Sequence, residues 1–329
     1  MKAFNFLFDV IIKLRHKLYD INFFRSKKVD TSVISIGSIT IGGAGKTPLT
    51  IAVAKMLTDM NIKVAILSRG YKRKKTGLNE IRDLSDLQKT AMDYGDEPTL
   101  IALTLKNIPV IVSENRFLGA EYIEKKINPD VILLDDGFQH RKLSHSADIL
   151  IFKNDFKGKK ETYFPFGKLR DSLSQLKNSD LIFYEKGTKN SVKEYLKEQA
   201  SIQEYNIKYQ LISNNKSKIN IKKPITSFCG IAKPELFFAA LKDLNIDCKY
   251  NLKFSDHKKY GNFTIRKILS TKSNTFITTE KDFLKLPKEF VANNKILTLT
   301  MKIEFGDNKS IIKVLKKVFI KNNTKNNYK

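Results

Sequence analysis

Three glycines in four positions, Gly42, Gly43 and Gly45, lead directly into Lys46-Thr47-Pro48 within SVISIGSITIGGAGKTPLTIAVAKML (Ser32–Leu57). Glycines let a backbone wrap an anion and aim its N–H groups at it, and the start of a helix adds positive potential. In such a loop a lysine at position 46 reaches the β- and γ-phosphates of a nucleoside triphosphate, and the Thr47 hydroxyl ligates Mg²⁺. Thr40, Gly42, Gly43, Ala44, Gly45, Lys46, Thr47 and Pro48 are therefore the expected nucleotide-binding residues. The run departs from the strict pattern at Thr40, which stands five residues before Gly45 where glycine is usual. Taken alone, a glycine turn capping an ordinary helix has the same letters.

A second run supplies acids. In VILLDDGFQH (Val131–His140) four apolar residues end on Asp135. A strand of this kind emerges beside a phosphate loop, where its acid holds Mg²⁺ directly or through water. Asp136, Gln139 and His140 fall on the following loop, and His140 reads equally well as a structural residue. A third run, Tyr94-Gly95-Asp96-Glu97-Pro98, puts two adjacent acids before an apolar helix, with plain N-capping as the alternative.

The elements that must position these groups alternate. VISIGSITI reads as a buried strand. Leu49, Ile51, Val53, Met56 and Leu57 then recur at helical spacing behind Pro48, a residue suited to a first helical turn. Short apolar strands follow at KVAIL (63–67), IPVIV (108–112), VILLD, DILIF (148–152) and LIFY (181–184), with helical patterns between several of them. This alternation predicts an α/β fold with a parallel sheet. Arg69 and Tyr71 lie just beyond the carboxyl end of the second strand, where open α/β sheets bind ligands. Glu185–Lys223 is polar and weakly periodic, a linker or peripheral ribbon, and a fresh βα unit begins at Ile225. The expected division is an N-terminal helix (1–28), a phosphate-loop domain (29–222), a smaller α/β domain (223–320) and a disordered tail (321–329).

Composition narrows the setting. The 329-residue chain carries a formal charge of +26, but only nine of its 60 basic residues are Arg. Nucleic-acid surfaces favour Arg for its fork and its stacking, whereas lysine scattered along a chain gives a solvated basic surface or attraction to anionic lipid. Cys229 and Cys248 form no CxxC and no disulfide framework, which fits a reducing, cytosolic setting. The N-terminal stretch has neither a small-residue cleavage site nor a spanning length of apolar residues. Phe4, Leu7, Phe8, Ile11, Ile12, Leu14 and Leu18 cluster towards one helical face, suited to a bilayer interface or to the domain's own surface.

Together with SRGYKRK, FPFGKLRDSL, CGIAKPELFF, FSDHKKY and TTEKD, these runs resemble the tetraacyldisaccharide 4′-kinase (lipid A 4′-kinase) family in order and content from Ser32 to Asp282. The resemblance implies a P-loop NTPase-type α/β/α sandwich with a second, smaller α/β domain and the active site in the cleft between them. It implies ATP-dependent phosphorylation of the 4′-hydroxyl of an acylated disaccharide 1-phosphate, giving lipid IVA, with ATP and Mg²⁺ required. It also implies work at the cytoplasmic face of a Gram-negative inner membrane, which favours the interfacial reading of the N-terminal helix. Nothing implies nucleic-acid binding or an obligate protein partner. Residue by residue, Asp96 resembles the family's catalytic base and His257 the histidine that partners it. Lys46 and Arg116 neutralise charge, Thr47, Asp135 and Glu97 serve the metal, and Asp136, Gln139, His140, Arg69, Tyr71 and Arg170 face substrate. FPFGKLRDSL departs from the commoner PAGPLRE-like form, and Lys233 stands where Asn is frequent. A soluble P-loop kinase and a basic nucleic-acid-binding ATPase are the rival classes; the absence of NKxD counts against a GTPase.

Overall fold

The structure, a computed structural model, describes residues 2–213, 219, 221–256 and 258–326. Twelve strands form one sheet. In chain order they are β1 (Ser32–Gly37), β2 (Val64–Ser68), β3 (Asn79–Glu80), β4 (Val110–Val112), β5 (Val131–Asp135), β6 (Ala147–Phe152), β7 (Leu181–Glu185), β8 (Ser201–Ser213), β9 (Ile225–Cys229), β10 (Tyr250–Lys253), β11 (Thr275–Thr279) and β12 (Ile296–Phe305). The spatial order is β10-β9-β11-β12-β8-β7-β6-β1-β5-β2-β4-β3. The helices are α1 (Lys2–Asp20), α2 (Lys46–Asp59), α3 (Leu87–Tyr94), α4 (Asp96–Thr104), α5 (Arg116–Lys126), α6 (Asn190–Lys197), α7 (Pro234–Asp243), α8 (Asn262–Leu269), α9 (Glu280–Phe283), α10 (Lys288–Asn293) and α11 (Lys309–Asn326).

The expected α/β class is found. β1, β2, β4 and β5 are buried along their whole length, as strands covered by helices on both faces must be, and their continuous Val/Ile/Leu runs supply that burial. One face packs Leu49, Val53 and Leu57 of α2 against Ile34, Ile66 and Leu133. The other packs Ala120 and Ile123 of α5 against Ala65, Leu67 and Ile132. In the second half, α7 covers one face of β9, β11 and β12 through Phe237, Ala240 and Leu241. Ile268 of α8 and Phe290 of α10 cover the other.

Two boundaries differ from expectation. The polar stretch read as a linker forms α6 and the 13-residue strand β8. β8 pairs parallel with β7 through Ser201–Tyr205 and antiparallel with β12 through Tyr205–Ser213. Its alternation was hidden because it lies between two halves and buries few side chains; Gln203 and Tyr205 are the buried ones. The expected split at 222/223 also misplaces α11. Ile311, Val314, Leu315 and Val318 pack in the core with Ile34, Val53 and Phe183, on the first half of the sheet. The tail expected to be disordered from 321 is helical to Asn326, because it continues this anchored helix.

Helix α1 is docked by a mixed face: Phe8 and Ile12 pack against the cluster of Phe152, Tyr163 and Leu169, and the polar groups beside them find partners. His16 Nε2 lies 2.7 Å from Asp171 Oδ1, both residues buried. Asn5 Oδ1 accepts from Tyr163 N–H at 3.0 Å, Asp9 accepts from the Tyr163 hydroxyl and from Ser172 Oγ, and Arg141 donates to Asp20. Phe6, Leu7, Val10, Ile11 and Leu14 are left exposed.

Candidate active site

β1 is flanked by β5 and β6, and its register sets Ile36 opposite Asp135. The acid at the end of β5 therefore stands level with the point where β1 gives way to the glycine run. Gly42, Gly43 and Gly45 have φ of 70°, 51° and 93°, a left-handed series that glycine adopts without strain. A Cβ at Gly42 or Gly43 would meet nothing within 4 Å, so backbone conformation and not crowding demands glycine there. Gly45 caps α2, which starts at Lys46, with Thr47 in its first turn and buried.

Asp135 is 1 % exposed. Thr50 Oγ1, one turn after Lys46, donates to its Oδ1 at 3.0 Å, and Ser68 Oγ donates to Oδ2 at 3.4 Å. Burial, reinforced by the carboxylates of Glu97 and Asp136, pushes Asp135 up to about 7. Asp136, at a left-handed φ of 53°, turns the chain. Arg170 grips both its oxygens, with Nη1 donating to Oδ2 at 3.1 Å and Nη2 donating to Oδ1, and Lys46 Nζ lies 3.7 Å from Oδ1. Burial works to raise this carboxyl, but the Arg170 hydrogen bonds and the Lys46 charge hold it below the ordinary range.

Asp96 and Glu97 occupy the first turn of α4, directly after its N-cap residue Gly95. Glu97 Oε1 accepts from Lys281 Nζ at 2.6 Å, and Lys285 Nζ stands 3.9 Å from Asp96 Oδ2. Although burial opposes it, Lys281 and then Lys46 hold Glu97 below its ordinary value. Gly70 and Gly95 fix this corner: a Cβ on Gly95 would lie 3.2 Å from Gly70 Cα, and one on Gly70 would lie 2.6 Å from Tyr94 O. Two backbone turns thus touch, bringing the segment of Arg69 and Tyr71 against the segment of Asp96; Tyr71 itself is 60 % exposed.

Arg116 opens α5, 5 % exposed, with Nη1 donating to Glu114 O at 3.1 Å. Its buried Nε has no hydrogen-bond partner among the described residues. Burial and the charge of Arg69 push it down to about 10, while Asp136 and Asp135 act the other way. Gln139 Nε2 and Arg170 Nε both donate to Ser38 O, at 3.1 and 3.0 Å, bracing the chain just before the glycine run. Burial and then Arg116 lower His140 to about 4, so its ring is neutral at physiological pH. Lys168 leaves this group and pairs with Asp155, which also takes Lys233 from the second half. His257 lies outside the described residues.

Sequence reasoning missed Thr50, Ser68, Lys281 and Lys285. Thr50 carried a signal, since it follows Lys46 by one helical turn. Lys281 stood within the TTEKD run, but only the folded sheet brings that run and Lys285 to the start of α4. Among the described residues no group of three His, Cys, Asp or Glu could by itself hold a metal ion. A hydroxyl with one or two carboxylates nonetheless suits Mg²⁺, which takes phosphate oxygens and water for its remaining positions. Burial, and after it the repulsion of Glu97 and Asp136, raises Asp135, and a cation there would offset both.

Comparison with known proteins places the chain in a family. The family model described as tetraacyldisaccharide-1-P 4'-kinase matches residues 1–320. The tetraacyldisaccharide 4'-kinase of Aquifex aeolicus is 31% identical over 322 residues, covering 96% of this chain and 97% of its own. That of Desulfotalea psychrophila is 32% identical over 299 residues, covering 85% of each chain. The crystal structure of the "apo" form of LpxK from Aquifex aeolicus in complex with ATP superposes with a TM-score of 0.79 at 30% identity, over 96% of this chain and 98% of that one. With a family match along nearly its whole length, and with its loop glycines and acids brought to one end of the sheet, this chain belongs to the tetraacyldisaccharide 4'-kinase family.

Proposed function

We propose that the protein transfers the γ-phosphoryl group of ATP to the 4′-hydroxyl of a tetraacyldisaccharide 1-phosphate, giving lipid IVA in lipid A biosynthesis. The observation that carries this reading is the placement of Lys46, at the head of α2, within 3.7 Å of Asp136 on the loop leaving β5. Phosphoryl transfer asks for positioning and neutralisation of charge more than for covalent chemistry. The glycine-run amides and Lys46 hold the phosphates, and Arg116, with an unpaired Nε and Arg69 close by, meets charge on the transferring group. Thr47 and Asp135 would hold Mg²⁺, with Glu97 nearby, and when bound the cation supplies charge neutralisation between the β- and γ-phosphates.

Asp96 accepts the proton of the attacking hydroxyl, and His257 is its proposed partner. Asp136, clamped by Arg170, positions the acceptor sugar. Gln139, His140, Arg69, Tyr71 and Arg170 contact sugar and 1-phosphate; a neutral His140 offers one donor and one acceptor there. The smaller second half contributes Lys281 and Lys285 to the same cleft.

The acceptor is acylated, so the enzyme meets it at the cytoplasmic face of the inner membrane through α1. No helix of the described residues is long and apolar enough to cross a membrane. Support for interfacial docking lies in the orientation of α1, whose inward face of Phe8, Asp9, Ile12 and His16 is taken up by protein while Phe6 (72 %), Leu7 (60 %) and Ile11 (56 %) face outward.

A mixed-micelle assay with labelled ATP and tetraacyldisaccharide 1-phosphate tests the reading. Label enters a lipid bisphosphate with the unaltered protein and is lost with Asp96→Ala and with Lys46→Ala. Hydrolysis of ATP without labelled lipid would retain the nucleotide site and remove the substrate assignment.

A further inference from the structure

The turn Phe164-Pro165-Phe166 carries two large aromatic side chains into solvent, Phe164 56 % and Phe166 53 % exposed. Its root is stitched to the first turns of α1. Tyr163 N–H donates to Asn5 at 3.0 Å, the Tyr163 hydroxyl donates to Asp9, and the Tyr163 ring lies 5.1 Å from that of Phe8. The same turns of α1 present Phe6 and Leu7 outward, so helix and turn offer neighbouring apolar surface. Just before the turn stand Lys157, Lys159 and Lys160, all exposed. Just after it, Arg170 grips Asp136 and Asp171 meets His16 of α1.

We infer that the Phe164–Phe166 turn is a second lipid-entering element, seated in the head-group and acyl boundary of an anionic bilayer beside α1, with Lys157, Lys159 and Lys160 among the head groups. The inference rests on the interfacial reading of α1 and adds a point of contact to it. A bilayer is the occupant that the surroundings fit. An apolar tip flanked by lysines complements anionic lipid, the chain carries +26 overall, and the tip continues a helix face of the same character. A lone interfacial helix leaves the body free to roll about the helix axis. A second insertion beside it removes that freedom and sets the depth of the loop that ends on Arg170, and so the depth at which a membrane-held sugar meets Asp136.

The chain contains no Trp, so a single introduced Trp reports from its own site alone. Three full-length variants suffice: Leu14→Trp on α1, Phe164→Trp on the turn, and Phe263→Trp on α8, where Phe263 is 84 % exposed. Each is mixed with vesicles of phosphatidylglycerol and phosphatidylcholine in equal parts, with and without bromine on the acyl chains. The expected result is blue-shifted, bromine-quenched emission from Leu14→Trp and Phe164→Trp, and neither effect from Phe263→Trp. Quenching of Leu14→Trp without Phe164→Trp would overturn the second insertion and leave the docking of α1 standing; quenching of neither would remove both. As an independent measure, Phe164→Ser with Phe166→Ser weakens vesicle binding about tenfold with melting temperature unchanged, and unaltered binding would overturn the inference.

Discussion

Lys281 Nζ stands 2.6 Å from Glu97 Oε1, an ion pair that ties the segment after β11 to the first turn of α4. Beside it Leu284 packs fully buried with Ala91 and Leu100, so an apolar contact backs the charged one. The second half thereby sets the electrostatics of the acids at the start of α4: Lys281 offsets Glu97, and Lys285 lies between Asp96 and Asp282. Lys281→Met is expected to lower kcat about tenfold or more, by leaving Glu97 unpaired near Asp135. Lys281→Arg restores a part. Thermal unfolding of the variants should stay near that of the parent, and a kcat unchanged in Lys281→Met would show the pair to be structural only.

Asp135 gives a pH prediction with a definite sign. Its folded value of about 7 stands above the ordinary 3.8, because of burial first and of Glu97 and Asp136 next. The folded state therefore binds this proton more tightly than the unfolded chain does. The stability it contributes is complete below about 3.8 and is lost as pH rises through about 7. Without ligand, Asp135→Asn should flatten this slope and melt a few degrees higher than the parent above about pH 7, while losing kinase activity. Melting scans across pH check it; parallel curves for the two proteins would refute it.

Arg170 holds Asp136 with both arms of its guanidinium, a geometry lysine cannot copy. Arg170→Lys should keep the fold and cut kcat/KM for the lipid acceptor by about one to two orders of magnitude. A steady-state comparison at saturating ATP measures this. Activity within twofold of the parent would place the pair outside the reaction.

The outward face of α1 can be altered without touching its docking. Leu7→Glu with Leu14→Glu is expected to abolish flotation with anionic vesicles and leave the melting temperature unchanged, since both side chains are more than half exposed. His16→Ala, by contrast, removes one of two partners of buried Asp171 Oδ1, leaving Ser172 N–H alone on a carboxylate whose Oδ2 has none among the described residues, and should destabilise the protein by about 1–3 kcal/mol. Equal flotation of parent and double variant would argue against the membrane role of α1.

Much of the geometry of the proposed phosphate site was legible because it is local. The glycine run, Lys46 and the strand ending on Asp135 each lie within a short window whose apolar pattern fixes strand and helix, and the parallel pairing of β1 with β5 then brings them level. What was not legible depends on distant partners. The polar pattern of β8 gave no strand, because its register is supplied by β12 across about 90 residues of chain. Lys281 and Lys285 carried no sign of their acids. The inward polar groups of α1 were hidden as well: nothing in the sequence around Asn5, Asp9 and His16 points to Tyr163, Ser172 and Asp171, which meet them in the fold.

Helix α11 carries one more consequence. Its buried Leu315 shares a core with Ile34 and Val53, yet it is made some 260 residues after them. The half of the sheet that bears the glycine run is thus closed by a helix from far along the chain. Deleting 309–326 would open that core, so the cooperative melt and any binding of ATP should be lost together.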